Sequence, residues 1–134
     1  MVYTFLMGSY MTKKLNLYLV QLNPKVGDII YNQNKILHHL EECEQMSTAV
    51  DLVVFPELCL VGYPVDDLLN RQDFLTQVEQ SLNQIAKHTG STHCLVGHPR
   101  KIGNELFNCV SLLGNKKILA SYHKQCLPNQ QVFD

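Results

Sequence analysis

Apolar positions along this chain fall into two patterns. Leu15 to Leu22 is apolar in both alternating sets, and Asp51 to Phe55 is short and β-branched-rich. Both read as strands covered on both faces. Between them, Asn32 to Met46 repeats at helical spacing, with Ile36, Leu37, Leu40, Cys43 and Met46 on one stripe. Lys35, His39, Glu42 and Gln45 take the opposite side. Strand, helix, strand implies a right-handed crossover between parallel strands. A second helix, Phe74 to His88, has a stripe of Phe74, Leu75, Val78, Leu82, Ile85 and Ala86. Asp73 is placed to cap its start, and Gly90 to end it in a left-handed turn. His93 to Gly97 is a third strand. Leu106 to Leu113 and Lys117 to Tyr122 flank Gly114-Asn115, a hairpin signal. The expected class is therefore α/β with a mixed sheet.

Composition narrows the options. The chain has 134 residues, 46% of them hydrophobic, which suits one packed domain. There is no repeat, low-complexity tract or linker. Residues 13–134 read as the domain. Residues 1–12 read as a flexible leader, because Met11-Thr12-Lys13-Lys14 is a more natural start, and Met1 to Tyr10 lacks the basic start of a signal peptide. A net charge of -1 gives no broad field for nucleic acid or an anionic membrane. No apolar run approaches a membrane span. Five cysteines, an odd number without a CxxC pair, fit a reduced, cytoplasmic protein. No HExxH or Cys/His ligand spacing occurs, so no metal is expected. His38 and His39 are adjacent on a helix and point apart. Asp66-Asp67 reads as a helix N-terminal turn rather than a calcium loop.

Two polar clusters carry the candidate chemistry. Phe55-Pro56-Glu57-Leu58 ends the second strand, because Pro56 cannot donate to a ladder. Glu57 then lies at the carboxyl end of a buried strand, where open α/β sheets hold ligands. A carboxylate satisfied by backbone N–H groups is the bland alternative. Gly62-Tyr63-Pro64 reads as a rigid turn setting an aromatic beside Glu57. The hairpin delivers Lys124, followed by Leu127-Pro128. Alone, Lys124 is an ordinary solvated strand end. If both reach one end of the sheet, the Glu can take a proton from a nucleophile. The Lys can then stabilise a tetrahedral oxyanion.

Phe55-Pro56-Glu57-Leu58 with Gly62-Tyr63-Pro64 and Asp67-Leu68-Leu69 resembles the first motif of the nitrilase (carbon–nitrogen hydrolase) superfamily. Lys124, Leu127-Pro128-Asn129 and Val132-Phe133-Asp134 resemble its second, and Gln21-Leu22-Asn23-Pro24 with Gly27-Asp28 and Asn32 also fits. The GYPxxDLL and LPNxxVFD forms are most similar to the glutaminase branch that feeds ammonia to ATP-dependent NAD synthesis. The resemblance implies an α-β-β-α sandwich and a Glu-Lys-Cys triad. Glu57 would be the general base and Lys124 the residue stabilising the intermediate. Tyr63 would line the glutamine site, and Gln130 would occupy a substrate-contact position usually held by tyrosine. The implied substrate is glutamine. The implied partners are the remainder of a synthetase polypeptide and further copies of the chain in a homo-oligomer. ATP and Mg are expected only in the synthetase part, which converts nicotinic acid adenine dinucleotide to NAD.

The family cysteine would follow Asp134, and none of Cys43, Cys59, Cys94, Cys109 and Cys126 matches it. The chain by itself is therefore expected to be inactive and to leave an apolar sheet surface uncovered. Two other readings stay open: a stand-alone amidase for another small amide, and a non-catalytic remnant or interaction module.

Overall fold

The structure, a computed structural model, describes residues 2–6 as backbone and residues 14–125. In chain order these form β1 (Val2–Leu6), β2 (Lys14–Leu19), α1 (Ile29–Glu44) and β3 (Leu52–Val54). A short 3-10 helix (Asp66–Asn70), α2 (Gln72–Lys87), β4 (His93–Ile102), β5 (Glu105–Gly114) and β6 (Lys117–His123) follow. The strands make one six-stranded sheet in sequence order. β2, β3 and β4 run parallel, joined through the helices. The remaining neighbours are antiparallel. The mixed sheet expected from the pattern is thus observed. One part of the expected leader differs: Val2–Leu6 pairs antiparallel with β2 and forms an edge of the sheet.

Both helices pack on one face of the sheet and against each other. Tyr18, Val53, Cys94 and Leu113 are register partners across four strands and share that face. Val53, Cys94, Val96 and Leu113 are fully buried there against Ile36, Leu40, Val78 and Ile85. The expectation that β2 and β3 are covered on both faces is corrected. Leu15 and Leu19, on the helix-free face, are each 40% exposed. Leu17, Leu52, Val54 and Leu95 are half-buried. Among the described residues no second layer packs there, so apolar side chains of alternating parity meet different surroundings.

Three local devices differ from expectation. Asp28, not Asn32, starts α1: its carboxylate accepts from the Tyr31 N–H. Asp73 does not cap α2, because the preceding 3-10 helix runs almost directly into it and Arg71 takes the cap position. Asp73 sits in the first turn and pairs with Arg71 at 2.7 Å instead. Gly90 is not left-handed. α2 ends earlier, with the His88 and Thr89 N–H groups and the Thr89 hydroxyl turned back on the Ile85 and Ala86 carbonyls. The β5–β6 hairpin is as expected but displaced by one residue. Asn115 and Lys116 take the left-handed positions, with φ of 53° and 62°. Gly114 stays in the strand, where the His93 ring occupies the space a Cβ would need.

β4 continues five residues past the expected end at Gly97 and runs through Pro99. Leu95 and Gly97 aim their carbonyls to the β3 side, accepting from the Phe55 and Leu60 N–H groups. Pro99 shares that parity, so its missing N–H falls where β3 has already ended. On the helix face, His98 is buried between Ser111 and the Pro99 carbonyl. Nδ1 must donate to that carbonyl at 3.1 Å, so Nε2 accepts from the Ser111 hydroxyl at 2.8 Å. Ser111 in turn accepts from Ser121 at 2.7 Å. Burial, above all, lowers the imidazole from 6.5 to about 4, with Arg100 and His123 adding repulsion. Below pH 6.5 the unfolded chain therefore takes up a proton that the folded chain refuses. Stability should fall as pH drops from 6.5 towards 4. Thermal melts across that window should show a falling Tm, and His98→Asn should flatten the slope while lowering the plateau at pH 7.

Asn32 is the other buried polar anchor. Its Oδ1 accepts from the Lys25 N–H at 2.8 Å, and its Nδ2 donates to the Lys25 and Leu60 carbonyls at 2.8 and 3.2 Å. It ties the loop after β2 to the loop after β3. Replacing it by Leu removes three hydrogen bonds and leaves the buried Leu60 carbonyl without this donor, which should cost about 1–3 kcal/mol. Urea denaturation measures this as a lower midpoint.

Candidate active site

Two loops and two strands build the site. Leaving β3, the chain passes Phe55 and Pro56 and reverses at Glu57. Leu58 takes a left-handed φ of 49°, and its carbonyl accepts from the Val61 and Gly62 N–H groups at 3.0 and 2.8 Å. A non-glycine residue in that region is uncommon and marks a constrained turn. The turn lies flat on β4 at Gly97. A Cβ there would meet the Leu58 nitrogen at 2.6 Å and the Pro56 oxygen at 2.8 Å. Gly62, at φ +78°, lets the far end of the turn approach the Val26 backbone, and the Gly27 N–H donates to the Val61 carbonyl at 2.8 Å.

Lys124 reaches the same place from the other side of the sheet. β4, β5 and β6 form two successive hairpins, and the Lys124 N–H donates to the Asn108 carbonyl at 2.8 Å just past the end of β6. The Lys124 Nζ then lies 2.8 Å from Glu57 Oε1. The Asn108 side-chain amide donates to the same oxygen. The Lys124 hydrogen bond, helped by that amide and by the lysine charge, holds the Glu57 carboxyl below its ordinary range against the effect of burial. With Glu57 57% and Lys124 43% exposed, solvent screens the pair. It adds at most about 1 kcal/mol to folding. Its importance is positional.

The pair sits in the wall of a cavity of about 290 Å³, with Phe55, Pro56, Gly97, Asn108, Cys109, Val110 and Tyr122. Gly97 and Val110 are register partners, as are Val110 and Tyr122, so the cavity opens on the helix-free face. The structure therefore brings together Glu57 and Lys124, two of the four residues singled out from sequence. Tyr63, the aromatic expected beside Glu57, is not among the residues that wall the cavity. Its side chain is 75% exposed. Gln130 lies outside the described residues. Asn108 and Tyr122 were not singled out. The signal for Asn108 was a lone amide inside the apolar run Leu106 to Leu113.

No described cysteine is an activated nucleophile. Cys59 is fully buried, its thiol pushed up to about 12 by burial, and it donates to the Gly97 carbonyl at 3.5 Å. Burial also raises Cys94 to about 12 and Cys43 to about 11. Cys109 borders the cavity, but it too is buried and raised. A reactive thiol needs the opposite environment. Cys126 lies outside the described residues. Among those residues no group of three His, Cys, Asp or Glu could hold a metal ion.

A carboxylate just past the end of β3, paired with an ammonium beside a cavity, defines a site suited to carbonyl chemistry on an α/β scaffold. The sequence model of the carbon-nitrogen hydrolase family matches residues 17–133, and the chain belongs to that family. It is 38% identical over 120 residues to the glutamine-dependent NAD(+) synthetase of Xanthomonas campestris pv. campestris, covering 90% of this chain and 22% of the relative. The same enzyme from Aquifex aeolicus is 39% identical over 122 residues, covering 90% and 21%. The crystal structure of a glutamine-dependent NAD(+) synthetase from Cytophaga hutchinsonii aligns with a TM-score of 0.80 at 26% identity, over 87% of this chain and 20% of that one. An amidase of the nitrilase superfamily from Nesterenkonia shares the fold, with a TM-score of 0.74 at 19% identity over 90% of this chain and 48% of that one. The chain thus spans about one fifth of the length of the curated relatives it matches.

Gly97→Ala should push the Glu57 turn off β4 at a cost of about 1–3 kcal/mol, the usual range for overpacking. The check is a lower denaturation midpoint together with loss of the Glu57–Lys124 contact by NMR.

Proposed function

We propose that this chain carries the acid–base half of a glutaminase site, of the kind that supplies ammonia for ATP-dependent NAD synthesis. The observation that carries the reading is the 2.8 Å contact between Glu57 and Lys124, 67 positions apart in sequence, in the wall of a cavity. The similarity to glutamine-dependent NAD(+) synthetases over 90% of the chain supports glutamine as the amide.

In this reading Glu57 takes the proton of a cysteine thiol, and the thiolate attacks the side-chain amide carbon of glutamine. Lys124 stabilises the negative oxygen that forms. Glu57 returns the proton to the departing nitrogen, the C–N bond breaks, and ammonia leaves a thioester. Glu57 then takes a proton from water as the thioester is hydrolysed to glutamate. Glu57 is ionised at neutral pH, as the first step requires, and release of its contact with Lys124 would strengthen it as a base. Tyr63 and Gln130 are proposed substrate contacts that come into place with the remainder of the polypeptide. ATP and Mg belong to the synthetase step there. The compartment is cytoplasmic, and the assembly is a homo-oligomer.

The thiol is proposed to come from outside the four buried cysteines. The 134-residue chain alone should release no ammonia from glutamine above background. The polypeptide that its genomic reading frame encodes should release ammonia, prefer glutamine to asparagine or acetamide, and lose at least about a hundredfold in rate with Glu57→Gln. Turnover by the short chain that depends on Glu57 would overturn the outside thiol. Turnover by the encoded polypeptide that survives Glu57→Gln would overturn the site.

A further inference from the structure

Both hydrogen bonds to the Glu57 carboxylate fall on one oxygen. Lys124 Nζ and the Asn108 side-chain amide both donate to Oε1, and among the described residues Oε2 has no partner. The amide orientation follows from chemistry, since an ionised carboxylate only accepts, so Asn108 must present its NH₂. The same Asn108 holds Lys124 through the main chain, its carbonyl accepting the Lys124 N–H at 2.8 Å. Asn108 is itself buried, in the interior of β5 between β4 and β6. Its backbone is therefore held by the sheet, while its side chain borders the cavity.

We propose that Asn108 is a positioning residue that pins Oε1 of Glu57 and so presents Oε2 as the oxygen that moves protons. This rests on the glutaminase reading, in which Glu57 is the base. A carboxylate held only by the flexible Lys124 could rotate about its last torsion and offer either oxygen. A second donor from a rigid strand, approaching the same oxygen, removes that freedom. It also leaves Lys124 with spare N–H donors to face a developing oxyanion, since an ammonium has three and Glu57 uses one. No other residue type of this size does this. Asp would set a second carboxylate against Glu57, Leu would remove the donor, and Ser would fall short.

The test uses the 134-residue chain, whose Glu57 and Asn108 can be followed by NMR without turnover. In the unaltered protein, the Asn108 side-chain NH₂ resonances should shift with the same midpoint as the Glu57 carboxyl carbon. Asn108→Ala should raise the Glu57 midpoint, and Asn108→Asp should raise it further, with the remaining amide spectrum preserved. Lys124→Ala is the control for the underlying reading and should also raise it. If Lys124→Ala leaves Glu57 unmoved, the ion pair is absent and the glutaminase reading fails. If Lys124→Ala moves it but Asn108→Ala does not, and the Asn108 amide ignores the titration, the pinning role alone fails. Should Asn108→Ala not fold, the amide titration of the unaltered protein decides.

Discussion

The turn carrying Glu57 can lie against the sheet because residue 97 has no side chain. Its backbone comes so close to β4 that a single Cβ would collide with both Leu58 and Pro56. That approach sets the height of the carboxylate above the strand ends. The rest of the site is arranged to keep it there. Leu58 accepts a left-handed backbone, Gly62 closes the turn, and Asn32 joins the turn to the loop after β2. Leu58, Leu60 and Gly62 are buried there, where an unmet backbone hydrogen bond costs more than a made one returns. These contacts together hold the turn, and with it the Glu57 backbone, in one place.

Lys124 arrives by a different route. Two hairpins carry the chain across the sheet, so that residues 108 and 124 meet as neighbours on adjacent strands. The resulting ion pair is exposed enough that solvent takes most of its strength. Its geometry comes from the ladder and not from its own attraction. Asn108 is the element that converts sheet rigidity into carboxylate orientation.

The two faces of the sheet play different roles. One is a dry core under α1 and α2, and its polar members, such as His98 and Ser111, are satisfied internally. The other holds the cavity and half-exposed leucines. In the proposed reading the chemistry takes place on this second face, where Glu57 and Lys124 border largely apolar walls.

Periodicity alone determined the two helices, most of the strands and the mixed character of the sheet, because burial selects side chains at repeats of 3.6 and 2. Motif spacing marked Glu57 and Lys124. It did not reveal their partner, since Asn108 is a single amide in an apolar run and becomes informative only when β5 lies between them. Nor did it show that Tyr63 stands outside the cavity wall, since the turn after Glu57 is fixed by how Gly62 packs against Val26, a contact across 36 positions. The caps at Asp73 and Gly90 failed for a related reason: local propensity named good candidates, but the adjoining 3-10 helix and Thr89 had already claimed those ends. What only tertiary structure decided was which oxygen of the carboxylate Lys124 and Asn108 hold, since that depends on donors brought together by sheet pairing.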